Sequence, residues 1–121
     1  KKELDGENLL VFGDGTQTRD LLYVEDCVEF LFKAASSEKA IGQIINAGLG
    51  KDVAIKDLAT MVCSDPSRIK QVPHHHPQSE IQKLLCDYSK AEFLLGWKPK
   101  TDLKTGIQKI RKWFQKQPDL E

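Results

Sequence analysis

The segment GDGTQTRD, residues 13–20, carries more polar chemistry between two apolar runs than a turn requires. Gly13 and Gly15 allow positive φ angles and a close approach of the backbone to a ligand. Arg19 carries a planar fork of donors that suits two phosphate oxygens at once. The alternative to phosphate binding is that Arg19 pairs with a nearby carboxylate around a solvated turn, and the spacing alone favours this alternative. The candidate carboxylates are Asp14, Asp20 and Glu25.

A second polar group lies in INAGLGK, residues 45–51. Asn46 ends a predicted strand and is followed by Gly48 and Gly50, so its amide could meet a phosphate or a sugar hydroxyl. A glycine-assisted turn in which the amide bonds to the backbone explains the same pattern. For this segment taken alone, the turn is the favoured interpretation.

The run HHHP, residues 74–77, invites a metal-site interpretation. Three adjacent histidines cannot all point inward, however, and structural zinc normally takes two separated pairs of ligands. We therefore expect a polar loop with at most one inward-facing histidine.

The elements that must position these residues are short. Apolar runs at 9–13 and 21–24 flank the turn and predict a hairpin or a looped strand pair, and three further strands are predicted at 43–48, 68–73 and 83–86. Helical spacing predicts four helices. The first runs from Glu25 to Ala35 and the second covers residues 55–63. The third ends at Leu95, with Gly96 in the left-handed terminating position, and the fourth begins at Thr101 or Asp102 and continues past Phe114. The fold class is therefore α/β, a small mixed domain of short strands and about four helices.

Composition limits the classes of partner. The 121 residues amount to one domain, with 18 basic and 18 acidic residues, and this zero net charge argues against nucleic acid and against an anionic membrane surface. No apolar run approaches the roughly 20 residues of a membrane span. Three cysteines without paired spacing indicate a reducing, cytoplasmic compartment. The start KKEL, without methionine, indicates a processed or deliberately cut piece.

Three blocks, taken in order, resemble the C-terminal part of the extended short-chain dehydrogenase/reductase family, the nucleotide-sugar epimerases and dehydratases. They are GDGTQTRDLLYVEDCVEFL, GQIINAGLGKDVAIKDLA and DYSKAEFLLGWKPKTDLKTGIQKIRKWF. The resemblance implies a protein with a Rossmann domain that holds NAD or NADP and bears a Tyr-x-x-x-Lys pair. It also implies a smaller C-terminal domain that grips the substrate's diphosphate.

The resemblance assigns roles to particular residues. It places Arg19 on the diphosphate, Asn46 near the phosphates, and Gly13 and Gln17 in the same loop. Asp20 and Asp26 are expected to orient or cap this loop. Neither tyrosine has a lysine four residues on, and no G-x-G-x-x-G turn is present. Residues 1–121 are thus expected to be a substrate-binding domain without catalytic residues and without a bound cofactor.

One loop departs from the family pattern. The family usually has an Arg-Pro-Gly-(Asp/Glu)-like loop with a second phosphate-binding arginine, whereas this chain reads HHHPQSEI. His76 therefore stands before Pro77 in the arginine's place, and Glu80 takes the acidic place. Histidine lacks the permanent charge and the fork, so the resemblance implies weaker or more pH-dependent diphosphate binding.

The sequence leads to two hypotheses. The first is the substrate-binding portion of an NAD(P)-dependent nucleotide-sugar epimerase or dehydratase, similar to UDP-glucose 4-epimerases. This portion would be inactive alone, and would pack on its own N-terminal Rossmann domain in a homodimeric full-length protein. The second is a stand-alone, non-catalytic nucleotide-binding or protein-interaction module. The first requires that the Arg19 guanidinium face a cleft and not be sealed into a carboxylate network away from any cleft.

Overall fold

The structure, a computed structural model, describes residues 1–116. Within that range it contains four strands, β1 (Leu9–Phe12), β2 (Thr18–Asp20), β3 (Asp52–Ala54) and β4 (Ile69–Val72). It also contains four helices, α1 (Val24–Ala35), α2 (Ile55–Val62), α3 (Ser89–Leu95) and α4 (Leu103–Lys116). Three single 3₁₀ turns cover Glu38–Ala40, Pro66–Arg68 and Pro77–Ser79. The predicted fold class, a small mixed α/β domain with four helices, is confirmed.

The strands form two small sheets. β1 pairs in parallel with β4, with Leu9 opposite Ile69, and β2 pairs antiparallel with β3, with Arg19 opposite Val53. The predicted pairing of the runs at 9–13 and 21–24 is therefore wrong, because β1 and β2 belong to different sheets.

The second predicted strand, over 21–24, is also misplaced. The ladder of β2 ends at Asp20, opposite Asp52, and Val24 already begins α1. The Asp20 carboxylate accepts hydrogen bonds from the backbone N–H groups of Leu49 and Gly50 at 2.6 and 2.8 Å. These bonds hold the end of β2 against the segment that leads into β3.

Two further strand predictions differ from the structure. Residues 43–48 contain no strand, since no described strand lies beside them. The predicted strand at 83–86 is reduced to one parallel bridge between Thr18 and Lys83. The predicted strand at 68–73 is confirmed as β4.

The helix ends follow local chemistry. Gly96 terminates α3 with φ +59°, as predicted. Asp102 precedes α4 and accepts a hydrogen bond from the Thr105 N–H at 2.8 Å, which satisfies one of the free donors of the first turn. Trp97, directly after the α3 stop, is the largest fully buried side chain. Within residues 1–116, every helix is too short or too polar to cross a membrane.

Glu3 ties the start of the chain to the segment after α2. Its carboxylate accepts hydrogen bonds from the Ser64 hydroxyl at 2.7 Å and the Ser64 N–H at 2.9 Å, and it pairs with Arg68. The Ser64 hydroxyl is the largest contributor to a lowered Glu3 pKa, which falls from 4.5 to about 2. The folded state therefore favours the ionised carboxylate.

We expect Glu3→Gln to lower the free energy of unfolding at neutral pH. A carboxyl whose pKa is lower in the folded state stabilises above its unfolded pKa and loses that contribution as pH falls. The difference from wild type should therefore shrink between pH 4.5 and about 2. Urea unfolding across this range measures it. Glu7→Gln is the matched control, because Glu7 is exposed and lies 4.0 Å from Lys2; a Glu3→Gln deficit that is constant with pH would contradict the assignment.

Candidate functional site

The turn between β1 and β2 is built on two left-handed glycines. Gly13 and Gly15 each have φ +70°, as the sequence predicts. At Gly15 a Cβ would lie 2.8 Å from a Val11 methyl group and 2.9 Å from the Lys56 Cβ, so the position also excludes any side chain. Asp14 caps the turn by accepting from the Thr16 hydroxyl and N–H, and these bonds lower its pKa.

Gln17 anchors the turn to the elements around it. Its side chain is buried, and its Nε2 donates to the Phe12 carbonyl at 3.1 Å. Its own carbonyl accepts from the Ile55 N–H at 3.0 Å, which joins the turn to the start of α2. The entry of the chain into β2 is therefore fixed on both sides.

Arg19 projects from the centre of β2 and is held by three partners. Its Nη1 donates to the Thr18 and Ile81 carbonyls, each at 2.7 Å, and its Nη2 pairs with Glu80. The guanidinium is thus fixed in position by two backbone oxygens. Its third partner is a carboxylate that is itself partly exposed.

The three carboxylates that lie near Arg19 in the sequence bind other groups. Arg19 does pair with a carboxylate, but the partners predicted from the spacing are wrong. Asp14 caps its own turn. Glu25 pairs with Lys109 at 3.1 Å. Asp20 accepts backbone N–H groups, as does the buried Asp26, whose Oδ2 accepts from Thr101 at 2.8 Å. Both carboxylates thus fix other segments, at residues 49–50, 86 and 100–101, and not the turn that they were expected to orient or cap.

Glu80 is shared between Arg19 and a histidine. One carboxylate oxygen pairs with Arg19, and the other lies 2.5 Å from His74 Nε2. His74 Nδ1 accepts the His76 N–H at 3.0 Å, which places the ring proton on Nε2, where it can donate to Glu80. His74 is therefore the one inward-facing histidine that the sequence predicted for this run.

Sequence reasoning did not single out His74. The run HHH offers no signal that separates its members, because only the fold of the loop decides which ring turns inward. His75 stacks against Phe12, with ring centroids 5.2 Å apart. His76 is exposed. Within residues 1–116, no group of three histidine, cysteine, aspartate or glutamate side chains is placed to hold a metal ion.

Arg19 lines an open cleft of about 380 Å³. The predicted residues Gln17, His76 and Glu80 lie on the same walls, together with Leu10, Phe12, Ile55, His74 and His75. A neighbouring cleft of about 260 Å³ shares Gln17 and Glu80 and adds Gly13. The guanidinium is thus in contact with a carboxylate but faces a cleft, so the condition set by the sequence hypothesis is met.

Asn46 does not join this group. It is exposed and lines a separate cavity of about 590 Å³, whose walls include Asp20 and Cys86. Successive side chains of a strand point to opposite faces of the sheet. Arg19 therefore lines the 380 Å³ cleft, whereas Asp20 lines the 590 Å³ cavity. The phosphate role of Asn46 stays a prediction.

The cleft is suited to binding an anion. Arg19 is its permanently charged cation, and the neighbouring cleft is lined by Gly13, which has no side chain, and by Asp14. Glu80 competes for the guanidinium, and His74 offers Glu80 a second partner. An incoming diphosphate could therefore replace Glu80 on Arg19 while Glu80 keeps its hydrogen bond to His74.

Comparison with known proteins gives concordant matches. The sequence model of the family described as GDP-mannose 4,6 dehydratase matches residues 2–110. A putative UDP-glucose 4-epimerase of Methanocaldococcus jannaschii is 32% identical over 115 residues, covering 94% of this chain and 36% of that protein.

Two solved structures match over nearly the whole chain. Pal from Bacillus thuringiensis has a TM-score of 0.92 at 50% identity, covering 96% of this chain and 37% of its own. UDP-glucuronic acid 4-epimerase from Bacillus cereus, in complex with UDP-glucuronic acid and NAD, has a TM-score of 0.83 at 29% identity, covering 96% and 38%. The chain therefore spans little more than a third of the length of these three proteins.

Proposed function

The chain belongs to the family of nucleotide-sugar epimerases and dehydratases, and we propose that it is the substrate-binding portion of an NAD- or NADP-dependent enzyme of that family. In this role the chain grips the diphosphate of a nucleotide sugar. The remainder of a longer polypeptide carries the cofactor and the reacting groups. The short span of the match, 36% of the length of a relative such as the putative epimerase, supports this division.

The observation that carries the proposal is the position of the Arg19 guanidinium. Two carbonyls hold it in place, so little side-chain entropy is lost when it binds a ligand. It opens onto a cleft within the ordinary size range for small-molecule sites. A rigid planar donor beside glycine backbone is suited to a diphosphate.

Glu80 and His74 set how strongly that diphosphate binds. Without ligand, Glu80 neutralises Arg19, so the unoccupied cleft does not carry an unpaired cation. With ligand, the diphosphate takes the place of Glu80, and the His74 Nε2–H keeps a partner on the displaced carboxylate. Binding is therefore an exchange of one anion for another, in which the doubly charged group is favoured.

The described residues do not fit a dinucleotide cofactor. In a dinucleotide site the turn after the first strand leads into a helix, whose N-terminus receives the pyrophosphate. Here the turn after β1 leads into the strand β2, and the connections from β2 to α1 and from β3 to α2 contain no glycine. We therefore assign NAD or NADP to the rest of the polypeptide and derive no hydride or proton step for residues 1–116.

Location and assembly complete the proposal. The three cysteines are free thiols, which supports a reducing, cytoplasmic compartment. The proposed full-length protein is a homodimer of chains that each contain both portions. Taken alone, this chain should catalyse no reaction.

A ligand series on the full-length polypeptide tests the proposal. Isothermal titration calorimetry would compare UDP, UMP and uridine, with a parallel guanosine series because the family and its relatives name both bases. We expect the diphosphate to bind at least roughly tenfold more tightly than the nucleoside, since charge-assisted contacts supply about 1.5–3 kcal/mol. Inorganic pyrophosphate should compete with the diphosphate. Equal affinity for nucleoside and diphosphate in both series would contradict the proposal.

A further inference from the structure

The imidazole ring of His74 bridges the two ends of the loop that follows β4. Its Nδ1 accepts the backbone N–H of His76 at 3.0 Å, and its Nε2 lies 2.5 Å from one carboxylate oxygen of Glu80. Between these contacts the loop is closed by a 3₁₀ turn, in which the His76 carbonyl accepts the Ser79 N–H at 3.1 Å. The ring therefore lies between the loop backbone and the carboxylate that neutralises Arg19.

The three side chains that meet at Glu80 are largely withdrawn from water. Arg19, Glu80 and His74 are 25, 16 and 21% exposed. A charge on the ring therefore acts on Glu80 more strongly than it would at a fully exposed site. The group has no net charge while the ring is neutral, and it has a charge of +1 once the ring takes up a proton. Histidine is the side chain that commonly changes charge between pH 5 and 8.

The geometry decides where a proton can enter the ring. Nε2 already carries one proton, which it can donate to Glu80, so a second proton must bind at Nδ1. A protonated Nδ1 can no longer accept the His76 N–H, so the charged ring loses that hydrogen bond. In the cleft without ligand this loss opposes proton uptake, because Arg19 already neutralises Glu80.

A diphosphate on Arg19 reverses this balance. Once the ligand has displaced Glu80 from the guanidinium, the carboxylate keeps only the ring as a partner. A neutral ring offers it one hydrogen bond, whereas an imidazolium offers both a hydrogen bond and the opposite charge. The bound state therefore favours a charged ring more than the unliganded state does.

We propose that diphosphate binding at this cleft is coupled to the uptake of a proton by His74, whose imidazolium replaces Arg19 as the charge partner of Glu80. The inference rests on the proposed function, which places the diphosphate on Arg19. It makes His74 a positioning residue that acts through Glu80 and need not touch the ligand. It also differs from the pH dependence expected from the sequence, which assigned a direct phosphate contact to His76.

The other groups beside the ring do not offer the same exchange. Among the described residues that line the two clefts next to His74, the charged or titratable ones are Arg19, Glu80, Asp14, His75 and His76. Asp14 stays ionised in the neutral range, because hydrogen bonds from Thr16 lower its pKa. The His75 ring packs against Phe12, and His76 gives the His74 ring only its backbone N–H.

Calorimetry on the full-length polypeptide measures the coupling. The ligand is UDP-glucose, or GDP-mannose if the guanosine series is the one that binds, because both phosphates of a nucleotide sugar are esterified and neither titrates near neutral pH, unlike a terminal phosphate. Titrations at pH 7 in buffers of different ionisation enthalpy give the number of protons taken up per ligand. We expect a measurable fraction of a proton. Since the complex then holds more protons than the free protein, binding should be at least roughly fivefold tighter at pH 6 than at pH 8.

Two variants remove the titrating ring, and each keeps one of its contacts. In His74→Gln the amide can still donate to Glu80, and in His74→Asn the side-chain oxygen can still accept the His76 N–H. Both should bind the nucleotide sugar without proton uptake and with equal affinity at pH 6 and pH 8, and if one does not fold the other decides. His76→Gln is the matched control, because it keeps the backbone N–H; proton uptake should persist in it at any affinity.

The outcomes separate this inference from the proposed function. Wild-type binding without proton uptake would overturn the inference and leave the proposed function in place. Uptake that persists in the His74 variants would also overturn it, and uptake that is lost in His76→Gln would overturn it in favour of a direct contact by His76. A protein that binds neither nucleotide sugar at any pH would contradict the proposed function, and the coupling with it.

Discussion

Replacing Arg19 with alanine is expected to weaken diphosphate binding by the full-length protein by about 2–3 kcal/mol, or roughly 30- to 150-fold. The variant removes the permanently charged cation of the cleft and leaves Glu80 on its wall, where the carboxylate repels the incoming phosphates. The loss should appear in the affinity for UDP or GDP and not in that for the bare nucleoside. Calorimetric titration of wild type and variant with both ligands measures it.

Two further variants separate charge from geometry. Arg19→Lys keeps the charge but loses the fork that contacts two oxygens, so its affinity should lie between those of wild type and Arg19→Ala. Glu80→Gln should change affinity in the opposite direction, because the diphosphate then displaces a neutral amide and not a carboxylate. An Arg19→Ala protein that binds diphosphate as tightly as wild type would refute the role assigned to this side chain.

Replacing Trp97 with alanine is expected to destabilise the protein by about 3–5 kcal/mol. Trp97 is 1% exposed, its Nε1 donates to the Asp26 carbonyl at 3.1 Å, and its ring packs edge-on against Phe30 and Tyr88. Truncation therefore opens a cavity where α1 and α3 meet and removes the indole hydrogen bond to the Asp26 carbonyl. Urea unfolding followed by circular dichroism measures the change.

The chain contains its own control for this variant. Trp113 lies on α4, is 48% exposed and packs against the neighbouring Phe114 ring. Trp113→Ala removes the same volume from a half-exposed site, so it should cost clearly less than Trp97→Ala. Trp97→Phe keeps most of the apolar volume and should fall between them. Equal losses at both tryptophans would show that Trp97 is not the anchor of the α1–α3 packing.

Much of the helical structure could be predicted because its causes lie within a few residues. The Gly96 stop and the Asp102 cap need only adjacent backbone groups. The apolar spacing of α1 could also be predicted from the sequence. Which face of the helix lies toward solvent could not. The stripe at Val28 and Phe32 faces solvent because the described chain has no layer to cover it.

Strand pairing could not be predicted, because the partner of a strand depends on the tertiary structure. β1 pairs with β4, about sixty positions along the chain, and not with the apolar run that follows its own turn. Residues 43–48 have strand composition but no strand beside them among the described residues. A local pattern shows that a segment can pair, and only a neighbouring edge makes it do so.

The candidate site divides in the same way. The sequence by itself determined the ingredients, namely two glycines with positive φ, one arginine at the start of a strand and an acidic residue in a distant loop. Only the tertiary structure decided that Arg19 meets Glu80, 61 positions away, in place of the three carboxylates near it in the chain. It also decided that His74 is the inward ring and that Asn46 faces another cavity. The physical reason is that residue type and turn geometry act locally, whereas the alternation of side chains along β2 and the path of the 74–80 loop depend on contacts across the whole fold.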